Sequence, residues 1–249
     1  MAMRSALLNA TAVVPIYTAL LHAWIYAQRR REIAHLWLAI SALGVAGMAA
    51  SVIARAAATT TADALAWQTA QMGCGAVLGL GFVRWAHAAL GLHRPRLDRA
   101  VDGFVVLNVI GILTHSIFSD EFVMRPAFGR DGLVAQALLT PFGTVIVLIF
   151  AGLTLYLGVE LGRAARKRSE ERSLFAAYCA FAVTLLNDVA VGAGLIHGAE
   201  LLPLGYLVML TGLSAVLVRR FVRSMGEAER LARDLHARIE ERSAELRRK

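Results

Sequence analysis

The stretch LLPLGYLVMLTGLSAVLV (201–218) runs directly into RRFVRSMGEAERLARDLHARIEERSAELRRK (219–249), and that join decides the reading of the chain. The first segment is apolar over the length that about 30 Å of hydrocarbon requires at about 1.5 Å per helical residue. The second is charged and spaced like a heptad repeat from Met225 onward. A helix that starts in lipid and ends in water can carry a conformational change from one solvent to the other. The expectation is an all-α fold: a seven-transmembrane helix bundle over 1–220 and a cytoplasmic, coiled-coil-like signalling helix over 221–249.

Six further apolar stretches precede this one, giving spans near 9–27, 34–57, 66–90, 101–118, 136–160, 174–196 and 201–219. The 249 residues are 57% hydrophobic and only 18% charged, more apolar than a soluble domain of this length can bury. Backbone groups in lipid must bond internally, so each stretch reads as a helix, and the strand alternation of a barrel is missing. The span at 101–118 is the shortest and is interrupted by Asp102, Asn108 and His115. Arg55 and Arg84 fall inside spans, close enough to an end to snorkel. The first span is preceded by a lone Arg4 and ends in Trp24 and a basic cluster, unlike a cleaved signal peptide.

Orientation follows from the connections. Arg29, Arg30 and Arg31, then Arg94, Arg96 and Arg99, then Arg163, Arg166, Lys167, Arg168 and Arg172 lie on one side. The other side holds Arg125 and Arg130 among acidic residues. The positive-inside rule puts the N-terminus outside and the tail in the cytoplasm, as a multi-pass protein of a bacterial inner membrane. Trp24, Trp37, Trp85 and Trp67 fall near span ends, where indoles favour headgroup depth. Topology and anionic headgroups account for the net charge of +8 better than nucleic acid does. Cys74 and Cys179 read as isolated packing residues. No catalytic motif, metal set or cofactor signature appears. A retinal pigment is excluded, because span seven has no lysine for a Schiff base.

The connections on the outer side are short, so a stimulus must enter the bundle, come through the lipid, or be a membrane property. The longest, SDEFVMRPAFGRDGLVA (119–135), carries Pro126, Gly129 and Gly132, which argue for turns, and could cover a pocket mouth. Small residues in ALGVAGMAAS (42–51) and GCGAVLGLG (73–81) allow close helix approach.

Intramembrane polar residues supply the site candidates. In FAVTLLNDVAVGAGL (181–195), Asp188 stands beside Asn187 and shares a face with Thr184, four residues away. Asn108 and His115, seven apart, face nearly the same way. With His197, Glu200, Asp120 and Glu121 they could form a polar vestibule for a small lipophilic ligand, a set of structural hydrogen bonds, or a proton path. As metal ligands their spacing is not compact. Toward the cytoplasm lie His22, Arg84, His87, Tyr156 and Glu160, where an Arg84–Glu160 contact could couple spans three and five, or Arg84 could simply snorkel. Pro203 and Gly205 shape the start of span seven, and Gly226 leaves room for a bend below it.

In the tail, Met225, Ala232, Ile239 and Leu246 take one core position of a heptad, and Ala228, Leu235 and Arg242 the other. Two alanines and an arginine make this a marginal coiled coil, whose two packings can lie close in energy. The bland alternative is a basic amphipathic helix on the membrane surface.

The segments HLWLAISALG (35–44), WQTAQ (67–71) and LLNDVAVGAGLIHGAELLPLGYLVML (185–210) resemble seven-helix sensory input domains of bacterial signalling proteins. The tail EAERLARDLHARIEERSAEL (227–246) is similar to the helix joining such domains to PAS, histidine-kinase or GGDEF modules. In that family the Asn187–Asp188 and Pro203–Gly205 regions recur as parts of the bundle. The resemblance implies a non-enzymatic sensor working as a parallel homodimer among membrane lipids. It also implies a cytoplasmic output module, a histidine kinase or diguanylate cyclase, beyond the tail. Two other functions remain open: a small channel or proton- or cation-coupled transporter using Asp188, and a scaffold recruiting a partner through its basic tail.

Overall fold

A computed structural model describes residues 2–126, 133–168, 171–192 and 201–248. Its elements are α1 (Ala2–Gln28), α2 (Ile33–Ala57), α3 (Thr61–Leu90), α4 (Pro95–Leu113), β1 (Phe118–Pro126), β2 (Leu133–Leu139), α5 (Pro141–Lys167), α6 (Arg172–Gly192) and α7 (Leu202–Arg248). Helix starts follow local chemistry. Thr60 is extended and accepts the Asp63 amide at 3.1 Å, and Thr140 accepts that of Gly143 at 3.0 Å. Pro141 follows Thr140 at the first helical position, where its missing N–H costs nothing.

The small residues of α2 and α3 bring these helices together. A Cβ at Gly44 would lie 2.7 Å from the backbone nitrogen of Leu78. In lipid, where no hydrophobic force drives helices together, such proximity holds them by dispersion. The interior is filled by Leu38, Leu78, Ile146, Met209, Leu210 and Leu213. An aromatic row, Trp85, Phe82, Tyr178, Phe181 and Tyr206, crosses from α3 through α6 to α7 with centroids 4.9 to 6.4 Å apart. Tyr17, Leu20, Leu148, Leu155, Val183 and Leu186 point outward. Such a belt faces acyl chains rather than water. The chain is a helical, multi-pass membrane bundle.

The expectation of an all-α fold with seven membrane-crossing helices is corrected on three counts. Among the described residues, five helices are long and apolar enough to cross a membrane: α1, α2, α3, α5 and α7. α4 fails because Arg96, Asp98, Arg99 and Asp102 crowd its first two turns. α6 (Arg172–Gly192) is not among the five. Second, a two-stranded antiparallel sheet stands where a loop and the start of span five were expected. Phe122 pairs with Ala137, Met124 with Ala135 and Pro126 with Leu133. The Thr140–Pro141 cap delays α5, leaving Val134–Leu139 extended; Gly129 and Gly132 lie outside the described residues. Third, Trp85 belongs to no headgroup belt, being 0% exposed in the core.

α7 is a single helix of 47 residues, on the order of 70 Å at about 1.5 Å per residue. Gly226 continues it, so no break in the backbone separates the bundle from its extension. Leu231, Leu235 and Ile239 are exposed on the extension.

Candidate functional site

A cavity of about 560 Å³ lies beneath the hairpin, walled by α2, α3, β2, α6 and the first turns of α7. Val45, Met48, Val52 and Met72 make one side apolar, with Arg55, Gln68, Gln71, Gln136, Asp188 and Tyr206 spaced around it. The hairpin is docked by a side-chain mimic of a strand. Gln68 Nε2 donates to the Ala137 carbonyl at 3.0 Å, and its Oε1 accepts the Ala137 N–H at 2.9 Å. The cavity is lined by Phe118 and by Gln136, Ala137, Leu138 and Leu139, which flank the 119–135 connection rather than belong to it. Gln71 Oε1 and Gln136 Oε1 are buried on this wall and have no hydrogen-bond partner among the described residues. Arg55, expected to snorkel, is instead 5% exposed and lines the cavity. An apolar body, two open acceptors and a guanidinium suit a small amphipathic molecule.

Asp188 contributes to this wall but is committed elsewhere. Its Oδ1 accepts from the backbone N–H of Leu201 at 2.6 Å and from Asn187 Nδ2 at 3.0 Å, while Oδ2 accepts from Leu202 N–H at 3.0 Å. The carboxylate of α6 thus caps α7, where unsatisfied N–H groups and the helix dipole favour negative charge. One turn away on α6, the Thr184 hydroxyl donates to the Phe181 carbonyl at 2.8 Å and packs directly on Gly205, leaving no space for a Cβ there. Thr184 is a packing contact rather than a ligand group. Pro203 sits in the first turn of α7, a position that needs no N–H.

Among the described residues, Asn108 and His115 do not join Asp188 in a vestibule. Neither Asn108 nor His115 bonds to Asp188 or lines the cavity among the described residues. Asn108 is 1% exposed inside α4's packed face, whereas His115 is exposed beyond the end of α4, with φ 52°. The helix stops at Leu113, so the seven-residue spacing no longer puts them on one face. His197 and Glu200 lie outside the described residues. No group of three or more histidine, cysteine or acidic residues fit to hold a metal occurs among those described.

At the opposite, tail end of the bundle, polar contacts grip α7. His22 Nε2 meets Ser214 Oγ at 2.8 Å, His22 Nδ1 meets His35 Nδ1 at 2.7 Å, and His35 Nε2 lies 3.4 Å from Glu32. One consistent assignment of protons follows. Glu32 requires a proton on His35 Nε2, so His35 Nδ1 accepts from His22 Nδ1–H, and His22 Nε2 accepts from the Ser214 hydroxyl. Lower on α7, Arg29 lies over the Phe221 ring at 5.1 Å, and Arg220 donates to the Ala89 carbonyl at 3.0 Å and to buried Glu171.

Of the two roles open to Arg84, neither snorkelling nor a Glu160 contact is the one it takes. Arg84 binds Asp102 at 2.9 Å and approaches Asp98 at 3.6 Å, since α4 returns beside the end of α3 with both carboxylates one turn apart. Glu160 instead pairs with Arg163 on its own helix at 2.9 Å. Tyr156 does join the α3–α4 network: its hydroxyl meets His87 Nε2 at 3.1 Å, and His87 Nδ1 meets Asp98 at 2.9 Å.

Sequence reasoning missed Gln68, Gln71, Gln136, Tyr206, His35, Ser214, Glu171 and Arg220 as members of these sites. The available signals were the amides of WQTAQ and a second histidine at the start of a span. No model of a known protein family matches the chain, and none of the curated proteins matches it.

Proposed function

We propose that this chain is the input module of a membrane signalling protein, in which the state of the cavity beneath the hairpin sets the position of α7. One observation carries the reading: part of the cavity wall is the start of the output helix, with Asp188 of α6 capping it. Asp188, Leu202 and Tyr206 line the cavity, and α7 continues from Leu202 to Arg248 without interruption. A ligand that binds one arrangement of this wall better than another shifts α7 by that difference in affinity.

The arginine-rich connections lie at the tail end and support a cytoplasmic tail with the hairpin outside. The exposed Leu231, Leu235 and Ile239 stripe supports pairing with a second chain or docking of an output module. The resemblance of the tail favours a histidine kinase or diguanylate cyclase as that module. The channel or transporter reading is less well supported, because Phe82, Phe181, Leu210 and Leu213 pack between the polar groups at the two ends.

The test fills the cavity. Ala49→Phe and Val52→Phe variants would be labelled at Arg31→Cys and Arg233→Cys after Cys74→Ala and Cys179→Ala. Spin-label distances should shift relative to the unfilled protein. Folded variants with unchanged distances would reject the reading.

A further inference from the structure

We propose that the groove between the start of α4 and the face of α5 binds the phosphate of an anionic phospholipid, one per chain. The groove has a volume of about 860 Å³ and is separate from the cavity under the hairpin. Arg94 and Arg96 rim it from α4, and Arg163 from α5. Its acidic lining residue, Glu160, is 8% exposed and already paired with Arg163 at 2.9 Å, so the groove keeps a net positive charge. α4 begins here with Pro95 at its first turn and no side-chain cap on its N-terminus, adding the positive end of a helix dipole. Guanidinium groups bind phosphate oxygens in pairs, which a single ammonium cannot do.

The wall below these arginines identifies where the anion comes from. Leu155 and Val159 line the groove, are 71% and 44% exposed, and belong to the membrane-crossing helix α5. A soluble anion has no use for that strip, and a soluble protein cannot reach it. An acyl chain can lie along it while the headgroup phosphate meets Arg94 and Arg96. Arg94 lines the groove together with Tyr156, whose hydroxyl joins the network through His87 to Asp98. A bound headgroup thus connects to the contacts that hold α3, α4 and α5 together. The inference requires membrane insertion and is independent of the sensor reading.

The test is native mass spectrometry of the full chain released from nanodiscs of phosphatidylcholine with phosphatidylglycerol. Retention of one phosphatidylglycerol, in preference to phosphatidylcholine, is expected. Arg94→Gln and Arg96→Gln should each reduce that preference roughly fivefold, the scale of one interfacial cation. Arg31→Gln, at the same end but outside the groove, should leave it unchanged. Leu155→Ala, which keeps the lipid-facing surface of α5 apolar while shortening the strip, should lower retention even if an arginine variant misfolds. Equal retention of both lipids, or full retention by the Leu155 variant, overturns the proposal. Displacement of the lipid by inorganic phosphate at millimolar concentration would also overturn it, as the mark of a soluble-anion site.

Discussion

The carboxylate of Asp188 on α6 caps Leu202 at the start of α7: Oδ2 accepts the Leu202 N–H at 3.0 Å while Oδ1 accepts that of Leu201 at 2.6 Å. An acid inside a membrane bundle is thereby satisfied by the orphan donors of another helix, and each solves the other's problem. The same carboxylate borders the cavity, as do Leu202 and Tyr206 in the first turns of α7.

Replacing Asp188 by Asn keeps one acceptor but turns an NH2 group toward a backbone donor. The expected cost is about 1 to 2 kcal/mol, the range for losing a helix cap. Thermal unfolding in detergent should show the loss, and a spin label near the start of α7 should become more mobile. Wild-type behaviour in both would mean that the cap does not hold α7.

The Thr184–Gly205 contact leaves no room for a methyl group. Gly205→Ala should destabilise the α6–α7 pair by about 1 to 3 kcal/mol through overpacking. Thr184→Gly opens the space, so the double variant should recover part of that loss. A double-mutant cycle with no coupling would place the helices further apart than described.

Gln68→Leu removes both bonds that dock the strand on α3 and strands the N–H and C=O of Ala137. With both groups buried, about 1 to 3 kcal/mol per unsatisfied group is at stake. Hydrogen exchange should accelerate across Val134–Leu139 and remain unchanged in α2 and α3. Slow exchange in the strand of the variant would show that the hairpin is held by other contacts.

The Nδ1–Nδ1 contact of His22 and His35 requires a single proton between the two nitrogens. Acid that protonates both imidazoles sets two donors against each other and breaks the contact, with Glu32 and Arg29 the neighbouring charges. The bond to Ser214 on α7 depends on the same ring. Tail-to-bundle distances should therefore change on acidification in the wild type and not in His22→Phe, which keeps the packing without the bonds. The same response in both proteins would exclude the histidine pair as its cause.

The sequence showed an apolar segment running into a charged helical one, because hydropathy is a property of adjacent residues, and left open a bend at Gly226 that the continuous α7 does not have. It also singled out Asp188, since a carboxylate among apolar neighbours is conspicuous on any helix, but not its partners at the start of α7. The hairpin was hidden: VAQALL alternates too weakly to be told from the apolar run of α5, and it is extended because Gln68 and β1 complete its hydrogen bonds. Asn108 and His115 were misgrouped by a spacing rule that holds only while a helix continues.

Local sequence determined most of the helical segments, which of their faces are apolar, and that the last helix runs out of the bundle. Tertiary structure alone decided the partners: Asp188 with α7, Arg84 with α4, Gln68 with the hairpin, and His22 with both His35 and Ser214. Pairing depends on how far each helix is rotated and how closely it crosses its neighbour. Those two quantities are set by residues such as Gly44 and Gly205 on one helix and the surface each meets on another.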